Sequence, residues 1–371
     1  MGRHQVTSVL PATAKAAVYV APGEPMRLRE FAVPELKGSE ALVRVRCTTI
    51  CGSDLHTFFG RRKSPAPSVL GHEMVGDVAA LGPGGATDVD GARLAVGDRV
   101  TWSMVWSCGE CFYCNHGLPP KCERLLKFGH EALRPGLDLI GGFAEFCFLP
   151  ERTAICRVPA NVPDEVASPA NCATSTVAAV VRYAGSLAGA NVVVYGAGML
   201  GLTACAMARQ HGAAQVIAVE TDPRRWELAR RFGADQVLDG RAGQAELAGA
   251  VKELTAGRGA EFVLEFTGVP EAMEAGFELL RFGGRFVMAG ATFPSRPIAL
   301  DAEQIVRRMI RLQGVYNYEA QDLKAAVSFL SDTVARYPFA ELIGRSFRLE
   351  ETQEAFDFAE NVKPPRVALR P

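Results

Sequence analysis

The sequence predicts an α/β chain of two domains, one mostly β and one built on a doubly wound parallel sheet. Short β-like runs between turn clusters fill the chain up to about Val158, and from about Thr174 apolar runs alternate with helix-period stretches. A length of 371 residues allows two cores of ordinary size. The β-like runs of the first half are 16–20, 41–47, 99–102 and 144–149. In the second half strand-like 191–195, 215–219, 262–266 and 285–289 alternate with helical 199–211, 224–232 and 271–280. After about Arg308 the alternation stops, and two amphipathic stretches (322–334 and 351–360) lead to a last strand at 366–369. This tail is expected to return to the first domain. The division is therefore a first domain over 1–173 and 309–371, interrupted by a second over 174–308.

Forty basic and forty-one acidic side chains give a net charge of -1, which argues against nucleic acid or an acidic membrane as partner and leaves a small molecule. No stretch approaches the roughly 18 apolar residues of a membrane span, and the N-terminus has no signal-peptide pattern. A cytoplasmic protein is expected. No short repeat or low-complexity tract interrupts the chain.

Cys108, Cys111, Cys114 and Cys122 form a C-x2-C-x2-C-x7-C cluster in a turn-rich segment, and in a reducing compartment such spacing indicates metal rather than disulfide. Four thiolates close the tetrahedral shell of zinc, so this is a structural site and the chemistry must lie elsewhere. Cys51, Ser53, Asp54 and His56 form one local cluster, His72 and Glu73 a second, and Cys172 adds a distant thiol. Two thiolates and one imidazole (Cys51, Cys172, His72) meet the count of an open, catalytic zinc site. Cys47, Cys147, Cys156 and Cys205 lie in apolar settings and are assigned to the core.

Gly196-Ala197-Gly198-Met199-Leu200-Gly201 follows a strand-like run and opens a helix, the context in which G-x-G-x-x-G binds a pyrophosphate. Glu220 closes the next strand, where a carboxylate accepts hydrogen bonds from the adenosine ribose and repels a 2'-phosphate, so NAD is expected over NADP. Arg224 and Arg225 follow it and offer countervailing positive charge.

In their order along nearly the whole chain, Cys51-Gly-x-Asp-x-His56, Gly71-His72-Glu73, Gly97-Asp-Arg-Val100, the four-cysteine lobe, Gly141-Gly-Phe-Ala-Glu145 and the glycine fingerprint resemble the zinc-dependent medium-chain alcohol dehydrogenases. The resemblance implies a GroES-like catalytic domain joined to a Rossmann dinucleotide-binding domain, assembled as a homodimer or homotetramer. It implies two zincs per chain, with Cys51, His72 and Cys172 on the catalytic one, Glu73 beside it and Asp54 orienting His72. It implies hydride transfer between an alcohol and NAD, with the metal polarising the substrate oxygen and Ser53 and His56 relaying the proton. Gly52 stands where some relatives carry an arginine on the cofactor pyrophosphate, and Arg366 matches another arginine that reaches the same group. Segments 127–133 and 169–174 resemble a bacterial subgroup associated with phosphonate catabolism. With Arg61, Arg62, Lys63 and Lys127 they favour a phosphonate-bearing alcohol or aldehyde. The alternatives are a polyol, sugar-alcohol or amino-alcohol dehydrogenase, a zinc-independent reductase, and a nucleotide-binding protein of this fold without catalysis.

Overall fold

The computed structural model describes residues 10–371. The chain divides into two compact units, one made of the residues up to Pro169 with Ile343–Pro371, the other of Ala170–Leu342.

The first unit opens with β1 (Thr13–Tyr19), β2 (Arg27–Ala32) and the long β3 (Ala41–Ile50), which runs into α1 (Gly52–Phe58). There follow β4 (Ser68–Val69), β5 (Glu73–Leu81), β6 (Arg99–Trp102), β7 (Val105–Trp106), α2 (Phe112–Asn115), β8 (Leu126–Lys127), β9 (Phe146–Leu149), β10 (Ile155–Arg157) and α3 (Asp164–Ala167). In β3 the outward Arg44 and Arg46 alternate with buried apolar residues, as the period of a half-solvated strand requires, but its last four residues are all buried. That buried end delivers the chain into the site described below.

The second unit begins with α4 (Ala173–Ala184) and then alternates: β11 (Asn191–Tyr195), α5 (Met199–Gln210), β12 (Gln215–Glu220), α6 (Trp226–Arg231), β13 (Gln236–Asp239), α7 (Gln244–Leu254), β14 (Ala260–Glu265), α8 (Pro270–Glu278), β15 (Leu280–Met288), α9 (Ala302–Arg307), β16 (Arg311–Gly314) and α10 (Ala320–Thr333). Its six strands are all parallel, in the order β13-β12-β11-β14-β15-β16. This is the doubly wound order, whose strand direction of travel reverses beside β11 and leaves a crevice at the carboxyl ends of the strands. Val193, Ile217, Val263 and Phe286 from four adjacent strands share one core with Leu247, Val251, Met273 and Phe277 of α7 and α8.

The last segment, β17 (Ile343–Arg348), α11 (Thr352–Val362) and β18 (Arg366–Arg370), belongs to the first unit. There β18 pairs antiparallel with β3, completing the path β10-β6-β5-β3-β18-β17 with β9 also on β3; β2-β1-β4 form a smaller sheet. The two-domain α/β architecture is as expected, but the tail returns later than the 308/309 boundary of the sequence reading. The residues between stay with the second unit for two reasons: β16 extends its sheet beside β15, and α10 is tied to α4 where Arg182 donates to Asp322 at 2.7 and 2.8 Å and to Glu319 at 2.7 Å. The start of the second unit at Ala170 likewise precedes the expected 174. Cys47, Cys147, Cys156 and Cys205 are buried, as expected. Among the described residues no helix is long and apolar enough to cross a membrane.

Candidate active site

The four-cysteine lobe hangs between β7 and β8, which pair over two residues only. Cys111 caps α2 and Cys114 lies within it, while Cys108 and Cys122 are buried at the base. The Cys108 and Cys114 sulfurs are 4.0 Å apart and those of Cys111 and Cys122 3.9 Å. Thiolates about 2.3 Å from one zinc stand about 3.8 Å from each other at the corners of a tetrahedron, so the donor set fits the ion. The Cys122 sulfur accepts from the backbone N–H of Cys108 at 3.2 Å and of Arg124 at 3.3 Å. Backbone donation at Glu110 and the Arg124 guanidinium hold the Cys108 thiol down to about 6, against the effect of burial, while burial and the neighbouring cysteines push Cys114 up to about 12. Four thiols so close cannot all ionise alone, and a divalent cation is what lets them.

In the first unit β3 hands over to α1 at Cys51. Asp54, completely buried, accepts from the Cys51 backbone N–H at 2.9 Å and so caps the helix with one oxygen. Its other oxygen faces Nδ1 of His72 at 3.2 Å, and the Ser53 hydroxyl lies 3.3 Å from the opposite nitrogen, Nε2. Cys51, His72 and Glu73 each offer a ligand atom within 4.8 Å of the others. Burial works against a charged His72, but the Asp54 carboxylate and the Cys51 sulfur outweigh it and, with no metal present, push its pKa up to about 10. Side chains that draw a proton so strongly draw a divalent cation in its place, and a carboxylate on the far nitrogen is the usual support of a metal-bound imidazole.

Glu73 opens β5 directly opposite Thr49 of β3, whose other neighbour is Ala368 of β18. Three adjacent strands thereby assemble a buried network. Arg366 donates to Glu73 through Nε at 2.6 Å and Nη2 at 2.7 Å, and the Thr49 hydroxyl donates to the same carboxylate at 2.6 Å. Nη2 also lies 3.5 Å from the Cys51 sulfur. Burial raises the pKa of Glu73 despite the opposing pull of Arg366. Arg366 was expected on a cofactor pyrophosphate; the structure places it on Glu73. His56 is half-buried on α1, and burial first, then Arg61, lower its pKa. Arg61 itself makes a two-pronged pair with Glu360 at 3.0 and 2.9 Å, which commits it to α11 and removes it from the expected set of substrate cations.

The nucleotide fingerprint lies in the second unit, where Gly198 caps α5. Gly196 has φ +92°, and a Cβ on Gly201 would come 1.6 Å from the Gly196 carbonyl oxygen, so the turn from β11 into α5 closes only on glycine. Glu220, at the end of β12, accepts from the backbone N–H of Ala197 at 2.7 Å and of Asp222 at 2.8 Å, which pins its carboxylate against the glycine turn. Arg224 is committed to Asp222 at 2.8 Å, and Arg225 stands 3.8 Å from Glu220. Cys172 caps the N-terminus of α4, at the start of the second unit. Met199 and Leu200 form the first turn of α5.

One residue, Glu265, escaped the sequence reading. Glu265 ends β14 completely buried, accepting from the N–H groups of Thr267 and Gly268 at 2.6 and 2.8 Å; an acidic residue closing a parallel strand before Thr-Gly was its available signal. His130 lies against His72 with ring centroids 5.0 Å apart.

Comparison with known proteins agrees with this geometry. A family model described as alcohol dehydrogenase GroES-like domain matches residues 37–160, and one described as zinc-binding dehydrogenase matches 200–332. An L-threonine 3-dehydrogenase of Aeromonas hydrophila is 30% identical over 346 residues, covering 92% of this chain and 95% of its own. The chain belongs to the zinc-dependent medium-chain alcohol dehydrogenase family. Among solved structures of such dehydrogenases, an alcohol dehydrogenase from Thermotoga maritima superposes with a TM-score of 0.91 at 31% identity, over 97% of this chain and 99% of that one. A zinc-binding dehydrogenase from Sinorhizobium meliloti, bound to NADP, gives 0.84 at 25% identity, over 97% and 100%.

Proposed function

We propose that this protein is an NAD-dependent alcohol dehydrogenase of the cytoplasm, holding two zincs per chain and interconverting a primary or secondary alcohol with its carbonyl product. The observation that carries the proposal is the arrangement around His72: a buried carboxylate on Nδ1, a hydroxyl on Nε2, and ligand atoms of Cys51 and Glu73 within 4.8 Å. Cys51, His72 and Cys172 would hold the catalytic zinc, and Cys108, Cys111, Cys114 and Cys122 the structural one. When bound, zinc supplies Lewis acidity toward the substrate oxygen, and NAD a hydride acceptor. The protein's own groups do the rest. Asp54 fixes the imidazole, and the Ser53 hydroxyl, donor and acceptor at once, takes the proton of the substrate hydroxyl. His56, three residues on along the same face of α1, passes it to solvent. With its pKa lowered, His56 is neutral at pH 7 and ready to accept.

Glu220 supports NAD over NADP. Its carboxylate is anchored beside the glycine turn, where a 2'-phosphate would meet it, and Arg224 is paired elsewhere. Arg225 is the residue left to soften the preference. For substrate, we favour an alcohol or aldehyde bearing a phosphonate, on the basic side chains Arg62, Lys63 and Lys127. The threonine-oxidising relatives support an amino alcohol as the second reading.

The test is a screen of alcohols, polyols and phosphonate-bearing alcohols that follows NADH absorbance, together with zinc analysis. Two zincs per chain and NADH formation on at least one alcohol are expected, with Cys172→Ser retaining one zinc and Glu220→Ala narrowing the NAD preference at least tenfold. One zinc in the unaltered protein and no turnover of any alcohol would sink the assignment.

A homodimer or homotetramer is also proposed, built on the free edge of β16, where Leu312 is exposed and Phe282, Val306 and Met309 are more so. Unpaired edges with apolar neighbours invite a second strand. Light scattering should give at least twice the chain mass, and Leu312→Asp should halve it; a monomeric parent protein would refute this.

A further inference from the structure

Two glutamates close the strands on either side of β11, Glu220 at the end of β12 and Glu265 at the end of β14. The first has both oxygens on backbone N–H groups, one on Ala197 and one on Asp222. The second does not. Oε1 of Glu265 takes the N–H groups of Thr267 and Gly268 and the Thr267 hydroxyl, while Oε2, equally buried, has no hydrogen-bond partner among the described residues. No cation among them pairs with this carboxylate either. A carboxylate removed from water with one oxygen bare costs free energy, and native chains keep such groups where a function uses them.

The placement of Glu265 is built in. The Phe266 N–H donates to the Tyr195 carbonyl at 3.0 Å, and the N–H groups of Ala289 and Gly290 donate to the Glu265 carbonyl at 3.0 and 3.1 Å. These bonds draw together the chain just past β11, β14 and β15. A Cβ on Gly196 would come 2.7 Å from the Thr267 methyl, and one on Gly268, at φ +68°, would come 2.4 Å from the Gly290 carbonyl oxygen. Glu265 thus stands at the foot of the crevice, beside the glycine turn and on the side away from Glu220. A dinucleotide laid across the reversal of strand order, with its adenosine ribose at Glu220, has its nicotinamide half over β14 and β15. Burial raises the pKa of Glu265 despite the donors around it, so a charge is held there at a cost that a nearby cation would offset.

An oxidised nicotinamide ring carries one positive charge and a reduced ring none, and the rest of the cofactor is the same in both. We propose that Glu265 makes the crevice favour the oxidised dinucleotide, its buried carboxylate stabilising the ring's positive charge before the hydride arrives and losing that partner afterwards. A crevice of this kind holds the cofactor less firmly once it is reduced, which helps the reduced form leave. The inference rests on the NAD reading of the glycine turn and adds to it the redox state that the site prefers. Glu265 is a specificity-determining residue for the cofactor and takes no part in the proton relay.

The test uses the zinc-loaded full-length protein at about pH 8, without substrate, and measures the dissociation constants of oxidised NAD by calorimetry and of NADH by fluorescence. Glu265→Gln keeps the shape of the side chain and an oxygen for the Thr267 and Gly268 N–H groups. It should weaken oxidised NAD about tenfold relative to NADH, the size of a charge–charge interaction across a partly screened interior. Glu265→Asp and Glu265→Asn repeat the comparison of charged with neutral side chain one methylene shorter. Whatever the shortening does to the turn is common to both, so the Asn variant should prefer oxidised NAD less than the Asp variant does, even where the Gln variant fails to fold. A residue that merely capped the 266–269 turn would serve both redox states alike. Equal losses for NAD and NADH in the Gln variant, or equal preferences in the Asp and Asn variants, would therefore overturn the inference and leave the NAD reading standing. An unaltered protein that binds neither redox state would overturn that reading, and this inference with it.

Discussion

Replacing Glu73 by alanine is expected to destabilise the first unit by about 3–5 kcal/mol, the cost of leaving a buried charge without its partner. Arg366 is 6% exposed and Glu73 0%, and their contact is two-pronged, so the guanidinium left behind has no route to water without displacing β18 from β3. Arg366→Ala should cost a similar amount, because it strands a carboxylate whose pKa burial already raises. The double substitution should cost clearly less than the sum of the two, since it removes both charges, and the difference in a double-mutant cycle is the coupling of the pair. Guanidinium unfolding of the zinc-loaded proteins measures all three. A loss below about 1 kcal/mol for Glu73→Ala, the range of exposed pairs, would mean that the network is hydrated and carries little of the local stability. The same pair also positions the site: Nη2 of Arg366 reaches the Cys51 sulfur, so either single substitution should lower the content of the catalytic zinc as well.

That network shows what the sequence could and could not disclose. Cys51 through His56, Gly71 through Glu73, the four cysteines and the glycine turn are legible because each is a contiguous segment whose spacing is set by one helix turn or one tight loop. The structure brings Cys51, Ser53, Asp54, His72 and Glu73 together. Arg366 and Glu73 are 293 residues apart, and their meeting depends on β18 pairing with β3 rather than with any strand near it in the chain. No local pattern encodes that choice. The late return of the tail has a similar origin. An amphipathic period places a helix at 322–334, but which sheet its apolar face covers was decided by Arg182 on α4 and by β16, a four-residue edge strand too short and too polar to show a strand period. In sequence His130 is one histidine in a turn with no assigned role, and only the close approach of Gly129 to Gly71 makes it a neighbour of His72.

The other large effect belongs to the four-cysteine lobe. Its segment has little apolar surface to bury: Phe112 is 60% exposed, and Tyr113 and Leu118 also face water, while β7 and β8 contribute two residues each to their pairing. A loop of this kind cannot meet the conformational entropy of its own ordering by hydrophobic burial. Bound metal would supply the difference, since structural zinc in isolated finger peptides contributes apparent free energies on the order of 10 kcal/mol. Cys111→Ser is therefore expected to take the protein from two zincs per chain to one and to open residues 105–127 to proteolysis, while the core of the first unit, which lies in the clusters around Phe143 and Trp102, stays folded. Limited proteolysis followed by mass analysis locates the cuts, and zinc content is measured on the same sample. Cys172→Ser, by contrast, should also lose one zinc but leave the lobe resistant. The pair of variants thus separates the two sites by a measurement that does not involve turnover. A Cys111→Ser protein that keeps two zincs, or loses one without new cuts between 105 and 127, would show that the lobe is held by its own packing and not by a metal.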